Sequence, residues 1–219
     1  MGDKKGDRRK VTLTRGFWMG ETPVTQGLYA AVMGVNPSQF RSAFSGAMPV
    51  ETVSWVDSVG FANELSRMAG SRPVYEFSGG EVRWDQAAPG FRLPTEAEWE
   101  HAARAGQDFE FAGSDDADLV AWTRNNSGGR PHPVGRKAPN AWGLRDMSGN
   151  VLEWCWDRDG GHPRVDSVDP AGSSRGPHRV IRGGSWDFGP RCARVADRFR
   201  RGPGYRDDSL GLRLVRTGP

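Results

Sequence analysis

The stretch FRLPTEAEWEHAARAG, at residues 91–106, carries the strongest local structural signal in the chain. Thr95 can accept a hydrogen bond from the backbone N–H three residues further on, and Glu98 at that position can accept one from the Thr95 N–H. This reciprocal pair caps the N-terminus of a helix, and Gly106 suits the left-handed conformation that ends one. The stretch therefore predicts a short helix with two defined ends.

Two further helices are predicted upstream. The first is capped by Thr25, runs to Met33 and ends at Gly34. Its expected apolar face consists of Leu28, Ala31 and Val32. The second is capped by Ser54, with Asp57 completing a capping box, and ends at Gly70. Its apolar residues recur at helical spacing, at Trp55, Val59, Ala62 and Leu65.

The rest of the chain predicts short strands and long loops. Residues 11–24 and 179–186 have the composition of strands, and Leu210, Leu212 and Leu214 alternate as in a half-buried strand. No periodicity survives between residues 106 and 140, which predicts a long loop that is functional or held by side chains. The chain has no internal repeat and no linker, so residues 1–219 are predicted to form a single domain.

Composition agrees with a folded, loop-rich protein. The 219 residues include 30 Gly and 15 Pro, but nine Trp and ten Phe are too many for a disordered chain. A chain of this length buries enough surface to fold without disulfides. With only two cysteines, a disulfide scaffold and a four-cysteine zinc site are both excluded.

Several classes of location and partner are also disfavoured. No apolar run approaches the roughly 20 residues that span a bilayer, and the first ten residues are polar and basic, so we expect a cytoplasmic protein without a membrane partner. The net charge is only +3. The many arginines alternate with Asp and small residues and form no basic block, so nucleic acid is not an expected partner.

Several motifs occur together in a fixed order along the chain. They are Gly16-Phe17-Trp18-Met19, Glu21-Thr22-Pro23-Val24-Thr25, Pro49-Val50, Val53-Ser54-Trp55, the stretch at 91–106, Asn140-Ala141-Trp142-Gly143-Leu144, Asp146-Met147-Ser148-Gly149-Asn150-Val151, Glu153-Trp154, Arg182-Gly183-Gly184-Ser185-Trp186 and Leu210-Gly211-Leu212-Arg213-Leu214-Val215. This ordered set resembles the formylglycine-generating enzyme family, also called sulfatase-modifying factor domains. The resemblance implies an α+β, C-type-lectin-like fold with little regular structure.

The resemblance also allows the family's chemistry to be checked. The oxidases of the family hold Cu(I) with two nearby cysteines after the Gly-Gly-Ser motif, because this soft ion prefers thiolates. Here Cys192 stands alone in that region, and Cys155 is distant in sequence. The four histidines, His101, His132, His162 and His178, do not have the spacing of the family's iron enzymes. We therefore expect neither copper nor iron, and catalytic residues are not assigned.

Calcium is the cofactor that the resemblance implies. The matching ligands are the side chains of Asp146 and Glu153 and the backbone carbonyls of Gly149 and Val151. Carboxylates and carbonyls in a tight turn suit a hard cation. The alternative is that the two carboxylates form ion pairs with Arg145 or Arg158.

The C-terminal segment, which we define as residues 179–216, resembles the variable region of the proteins of diversity-generating retroelements, which use the same lectin-like domain. A framework rich in Arg and Gly is interleaved there with twelve chemically scattered residues. They are Asp187, Phe188, Gly189, Cys192, Asp197, Phe199, Arg201, Gly202, Tyr205, Asp207, Asp208 and Ser209. In such regions mutated adenines of Asn codons never give Lys, Glu, Gln, Met or Trp, and all twelve residues obey this restriction.

Three functional hypotheses stay open at this point. The first is a non-catalytic domain that binds a protein or other macromolecule through these twelve residues, with Phe188, Phe199 and Tyr205 as aromatic anchors. The second is a fixed regulatory or toxin-immunity binding module. The third is a formylglycine-generating oxidase, or a related oxidoreductase that acts on protein cysteine. The structural alternative to the first hypothesis is that Phe188 and Phe199 pack inward and the Asp residues of the segment only balance the charge of the arginines.

Overall fold

The computed structural model describes residues 10–41, 45–160 and 166–218, so His162 lies outside the described residues. Four α-helices occur in the described part of the chain: α1 (Gln26–Met33), α2 (Trp55–Met68), α3 (Glu96–Arg104) and α4 (Ala117–Val120). Short 3-10 helices cover Ser45–Ala47 and Pro190–Ala193. Within the same residues, no helix has the length and apolarity needed to cross a membrane.

The predicted helix caps are confirmed. In α2 the Ser54 N–H donates to the Asp57 carboxylate at 2.8 Å, and in α3 the Thr95 N–H donates to the Glu98 carboxylate at 2.8 Å. Each capping side chain also accepts from the third residue of its helix, so both capping boxes are complete. Local sequence alone therefore defines where these helices begin.

The predicted apolar face of α1 is only partly right, because Val32 packs against the main core but Leu28 and Ala31 are exposed. Leu28 is 42% exposed, and the side chains turned inward are Gln26 and Tyr29. Tyr29 stacks on Phe61 of α2 with ring centroids 4.9 Å apart. Gln26 is tolerated in the interior because its amide donates to the carbonyl of Phe40 at 2.9 Å and satisfies its hydrogen-bonding groups.

Thirteen short strands are described. They are β1 (Val11–Thr12), β2 (Phe17–Met19), β3 (Tyr75–Ser78), β4 (Glu81–Trp84), β5 (Phe91–Arg92), β6 (Ala121–Trp122), β7 (Ser148–Gly149), β8 (Leu152–Arg158), β9 (Ser167–Val168), β10 (Arg179–Arg182), β11 (Arg198–Arg201), β12 (Leu210–Gly211) and β13 (Val215–Thr217). The predicted strand at 11–24 is thus two shorter strands. The predicted loop at 106–140 contains α4 and β6, which the sequence did not reveal.

The central sheet has four strands in the order β11-β10-β8-β12. β10 lies antiparallel between β8 and β11, with Ile181 opposite Trp154 on one side and Phe199 on the other. A second sheet has the order β2-β13-β5, and the remaining strands form isolated pairs. The central sheet positions the C-terminal segment, because β10, β11 and β12 all belong to it.

The strand predicted from the leucines at 210–214 is also interrupted. Leu212 and Leu214 lie between β12 and β13, where their carbonyls accept from the N–H groups of Val24 and Gly20 at 2.9 and 3.0 Å. The residues between the leucines do not face solvent, and Arg213 is fully buried. The alternation failed as a predictor because both sides of this stretch are covered by protein.

Candidate ligand-binding surface

Arg182, at the end of β10, holds the following loop by its backbone. Its fully buried guanidinium donates to the carbonyls of Asp197 at 2.6 Å and Val195 at 2.8 Å. It also pairs with the carboxylate of Glu100 on α3 at 2.7 Å. The loop path before β11 is therefore set by a buried side chain of the framework.

Arg213 plays the same role beside β8. Its guanidinium pairs with the Glu153 carboxylate at 2.8 Å, and both side chains are completely buried. Other N–H groups of Arg213 donate to the carbonyls of Gly20, Glu21 and Arg145 at 2.7–2.8 Å. One side chain thus ties two backbone segments, at residues 20–21 and at Arg145, to the central sheet, and charge-assisted bonds of this kind are strong.

Trp186 connects two loops of the C-terminal segment. Its backbone N–H donates to Asn150 at 2.9 Å, and its indole N–H donates to the carbonyl of Asp208 at 3.2 Å. Its ring meets Phe40 edge to face, with centroids 5.2 Å apart. The loop that begins at residue 187 is therefore held next to the loop at 207–208.

Strand β11 is held in place by two arginines on one of its faces. Arg198 donates to both oxygens of Glu96 on α3, at 2.7 and 2.9 Å, and to Asp159. Arg200 shares the Asp159 carboxylate. Because side chains alternate along a strand, these framework arginines leave Phe199 and Arg201 on the opposite face.

The glycines of the segment divide in the same way. A Cβ added to Gly184 would lie 2.7 Å from a backbone carbonyl oxygen, and one on Gly211 would lie 2.3 Å from the Val50 carbonyl oxygen. A Cβ on Gly189 or Gly202 would meet nothing within 4 Å. The first two glycines belong to the framework, and the last two belong to the twelve scattered positions.

Three carboxylates meet at one end of the surface. Asp187 pairs with Arg124 at 3.5 Å, and Trp186 brings this loop against Asp208. The pKa of Asp208 is raised by burial and by the negative charges of Asp207 and Asp187. This acidic end, formed by Asp187, Asp207 and Asp208, therefore concentrates negative charge that Arg124 offsets only at Asp187.

A chain of contacts runs from Arg201 through Tyr205 to Asp207 at the acidic end. The Arg201 guanidinium lies 5.2 Å from the centroid of the Tyr205 ring, and the Tyr205 hydroxyl donates to Asp207 at 2.7 Å. That hydrogen bond raises the pKa of Tyr205. Although burial acts to raise the pKa of Asp207, hydrogen bonds from Ser209 and Tyr205 outweigh it and leave the pKa below its usual value.

The aromatic residues are less exposed than expected. Phe188 and Phe199 are half-buried, contact each other with centroids 5.7 Å apart, and pack against the main core. Only Tyr205, 40% exposed, has the exposure expected of an anchor. Ser209 is buried and bonds to Asp207, so its side chain is turned away from solvent. Partial burial of both Phe rings makes the surface flatter and more polar.

The remaining scattered residues lie around this centre. Cys192 is half-buried in the 3-10 helix, and the charges of Asp197, Arg124 and Arg191 act on its thiol. Asp197 pairs with Arg194 at 3.3 Å. Cys192 therefore lies near Asp197 and near Arg124, the ion-pair partner of Asp187.

Some residues of the surface were missed by sequence reasoning. Thr52 donates its N–H to the carbonyl of Asp207 at 2.9 Å, and the Val56 N–H donates to Pro203 at 3.4 Å. Val56 is 43% exposed, and Arg124 pairs with Asp187. No local pattern marks these residues, because only the tertiary fold brings them to the C-terminal segment.

The two cysteines have different surroundings. Cys155 is fully buried in β8, and burial raises the pKa of its thiol well above the usual value. Burial also raises the pKa of Cys192. Both are free thiols, and neither is activated towards the thiolate form that binds copper or acts as a nucleophile.

The carboxylates expected to bind calcium are only partly free to act as ligands. Both oxygens of Glu153 accept hydrogen bonds from Arg213, and one also accepts from Trp99 at 2.7 Å. Glu153 therefore forms its ion pair with Arg213 and not with Arg145 or Arg158, the partners considered from the sequence. Asp146 differs, because Oδ1 is buried without a hydrogen-bond partner among the described residues. As arranged here, the four residues offer calcium one free carboxylate oxygen, and calcium binding stays a prediction.

Comparison with known proteins gives three findings. The family model described as "Sulfatase-modifying factor enzyme 1-like domain" matches residues 1–218. Chaperone protein LppX of Paenibacillus barcinonensis is 32% identical over 95% of this chain and 82% of its own length. Formylglycine-generating enzyme of Streptomyces coelicolor is 34% identical over 82% of this chain, but only 56% of that enzyme is covered.

Among solved structures, Treponema denticola variable protein 1 is similar with a TM-score of 0.91 and 37% identity, covering 96% of this chain and 87% of that one. The α+β, C-type-lectin-like fold expected from the sequence is thereby confirmed.

Proposed function

Because the chain belongs to the sulfatase-modifying factor enzyme 1-like family and has the fold of a variable protein, we propose that it is a binding protein of the diversity-generating retroelement type. Its ligand is a protein or other macromolecule, bound by the scattered residues of the C-terminal segment. The relative named as a chaperone protein also supports a role carried out through binding.

The observation that carries this proposal is the contrast between the two sets of glycines. At Gly189 and Gly202 a larger side chain would extend into open space, whereas at Gly184 and Gly211 it would collide with backbone. A surface that is diversified without unfolding needs this division, because the varied positions must accept many side chains on an unchanged backbone. The buried hydrogen bonds of Arg182 and Arg213 supply that constancy.

Matched substitutions test the division directly. Gly202→Ala should leave the melting temperature within about 2 °C of wild type, since it removes no packing. Gly211→Ala should lower it by more than about 10 °C or prevent folding, because a backbone oxygen occupies the space. Equal effects of the two substitutions on thermal melting would contradict the proposal.

A displayed library tests binding itself. Adenine-type codon diversity at nine of the twelve positions, leaving Phe188, Phe199 and Ser209 unchanged because they contact the interior, should yield mostly protease-resistant proteins, and panning on lysozyme as a probe protein should enrich binders. A control library of equal size at framework positions Arg182, Trp186, Arg194 and Arg213 should yield few folded members. Failure to enrich binders from a folded library would refute a binding surface at these positions.

Natural diversity is tested by sequencing. Amplicons that encode residues 179–216, taken across the source population, should vary at the twelve positions and not at the framework. A uniform sequence would remove diversification and leave a fixed binding module.

The similarity to a formylglycine-generating enzyme supports oxidation of protein cysteine as a second candidate. Its test is copper-dependent conversion of a cysteine-containing peptide to formylglycine, detected by mass. The buried, protonated Cys155 thiol and the isolated Cys192 argue against it.

A further inference from the structure

Three arginines form a row across three neighbouring strands. Arg179 on β10 lies opposite Arg158 on β8 and opposite Arg201 on β11. Like charges at directly paired positions of a sheet repel one another. The row therefore needs a compensating feature.

The partners of these arginines are backbone carbonyls. Arg158 donates to Gly176 at 2.9 Å, Arg179 to Trp156 at 2.5 Å and Arg201 to Arg200 at 3.0 Å. Within the residues that the structure describes, none of the three arginines makes an ion pair with a carboxylate. The other arginines of these strands differ, since Arg182, Arg198 and Arg200 all pair with buried acids.

Arg179 makes the absence of an anion costly. Only 4% of this residue is exposed, and its guanidinium lies 3.7 Å from the centroid of the Trp55 ring and 5.0 Å from that of Trp156. Burial, followed by the positive charge of Arg158, lowers its pKa to about 10. It is still charged at neutral pH, and a buried cation without an anion is unfavourable.

The nearby acid on β8 does not supply the missing charge. Burial and the negative charge of Glu96 raise the pKa of Asp157 to about 8, so its carboxyl is mostly protonated at pH 7. The row thus retains its positive charge beside Tyr205 and the exposed end of β11.

We propose that Arg158 and Arg201, which lie on either side of the buried Arg179, form an anion-binding end of the C-terminal surface, which takes a carboxylate from an acidic segment of the protein partner, while the buried charge of Arg179 adds to the attraction. This inference rests on the proposed binding function and names the partner's chemistry. Guanidinium groups suit carboxylates because they offer planar pairs of N–H donors. Arg158 and Arg179 lie outside the twelve scattered positions, so two members of the row are constant when the surface varies.

A protein acid fits better than a nucleic acid because of the other end of the surface. Asp187, Asp207 and Asp208 would repel an extended phosphate backbone that crossed the surface. A short acidic segment can bind at the arginine row while its neighbours meet the acidic end with basic or neutral groups. The surface therefore favours a partner with mixed charge.

Fluorescence anisotropy with labelled hexaglutamate at low salt tests the site. Wild type should bind the peptide, and Arg201→Ser and Arg158→Gln should each weaken binding about fivefold to tenfold. Arg83→Gln, an exposed strand arginine on β4, is the matched control and should change nothing. Arg201→Ser removes only the contacts with Tyr205 and Arg200, so it remains informative if Arg158→Gln misfolds.

Three outcomes would overturn the inference. In the first, all variants bind hexaglutamate as tightly as wild type does. In the second, wild type binds hexalysine as tightly as hexaglutamate, and in the third it binds an oligothymidylate more tightly than hexaglutamate. Competition by inorganic phosphate at millimolar concentration would indicate a site for any small anion and not one for an acidic protein segment. Such a failure is separable from failure of the proposed function, because the glycine pair does not involve the arginine row and the library varies only Arg201 among its members.

Discussion

The buried ion pair between Arg213 and Glu153 gives a sharp test of how the scaffold is held together. Arg213→Met keeps the bulk of the side chain but removes the charge and its hydrogen bonds. Glu153 would then be left as a completely buried carboxylate, with only the indole N–H of Trp99 as a donor among its present partners. Removing one partner of a buried pair costs about 3–5 kcal/mol.

The magnitude can be compared with an exposed pair of equal length. Arg67 and Glu64 on α2 also lie 2.8 Å apart, but their side chains are 57% and 42% exposed. Arg67→Met should cost about 0–1 kcal/mol, because water solvates whichever charge remains. For a domain of this size, about 3–5 kcal/mol corresponds to a fall in melting temperature of roughly 6–20 °C.

The assay is thermal and urea unfolding of both variants in EDTA, so that no divalent cation takes the place of the guanidinium. A further variant, Arg213→Met with Glu153→Leu, should recover part of the loss because no charge is left buried. Recovery is incomplete, since the carbonyls of Gly20, Glu21 and Arg145 lose their donor. If Arg213→Met and Arg67→Met cost the same, burial does not set the strength of the pair and the reasoning fails.

Other predictions concern titration, thiols and calcium. Burial and Glu96 raise the pKa of Asp157 to about 8. The stability linked to its protonated form is therefore complete below about pH 4 and is lost as the pH rises towards 8. Asp157→Asn should gain stability over wild type by a few kcal/mol across that window, and a constant difference between their urea midpoints would contradict this. Cys192 should react slowly with a disulfide reagent in the native state and Cys155 only after denaturation, so fast reaction of both native thiols would be contrary evidence. Millimolar calcium should raise the melting temperature above that in EDTA for wild type but not for Asp146→Asn, whereas no rise in wild type would reject the calcium site.

The helices illustrate what short-range sequence determines. Ser54 with Asp57 and Thr95 with Glu98 form their capping boxes because both partners lie within one turn, where chain connectivity already brings them together. The ordered motifs likewise indicated the family and the fold. The resemblance of the C-terminal segment to the variable region of diversity-generating retroelement proteins likewise suggested a binding surface before any geometry was known.

The tertiary structure decided which side chains serve that surface. The sequence around Phe188 and Phe199 does not predict that these side chains are half-buried. The ion pair between Arg213 and Glu153 joins residues that are 60 positions apart in the chain. The row of Arg158, Arg179 and Arg201 exists only through the register of three strands. Burial and cross-strand contact depend on residues far away in sequence, so no local pattern can specify them.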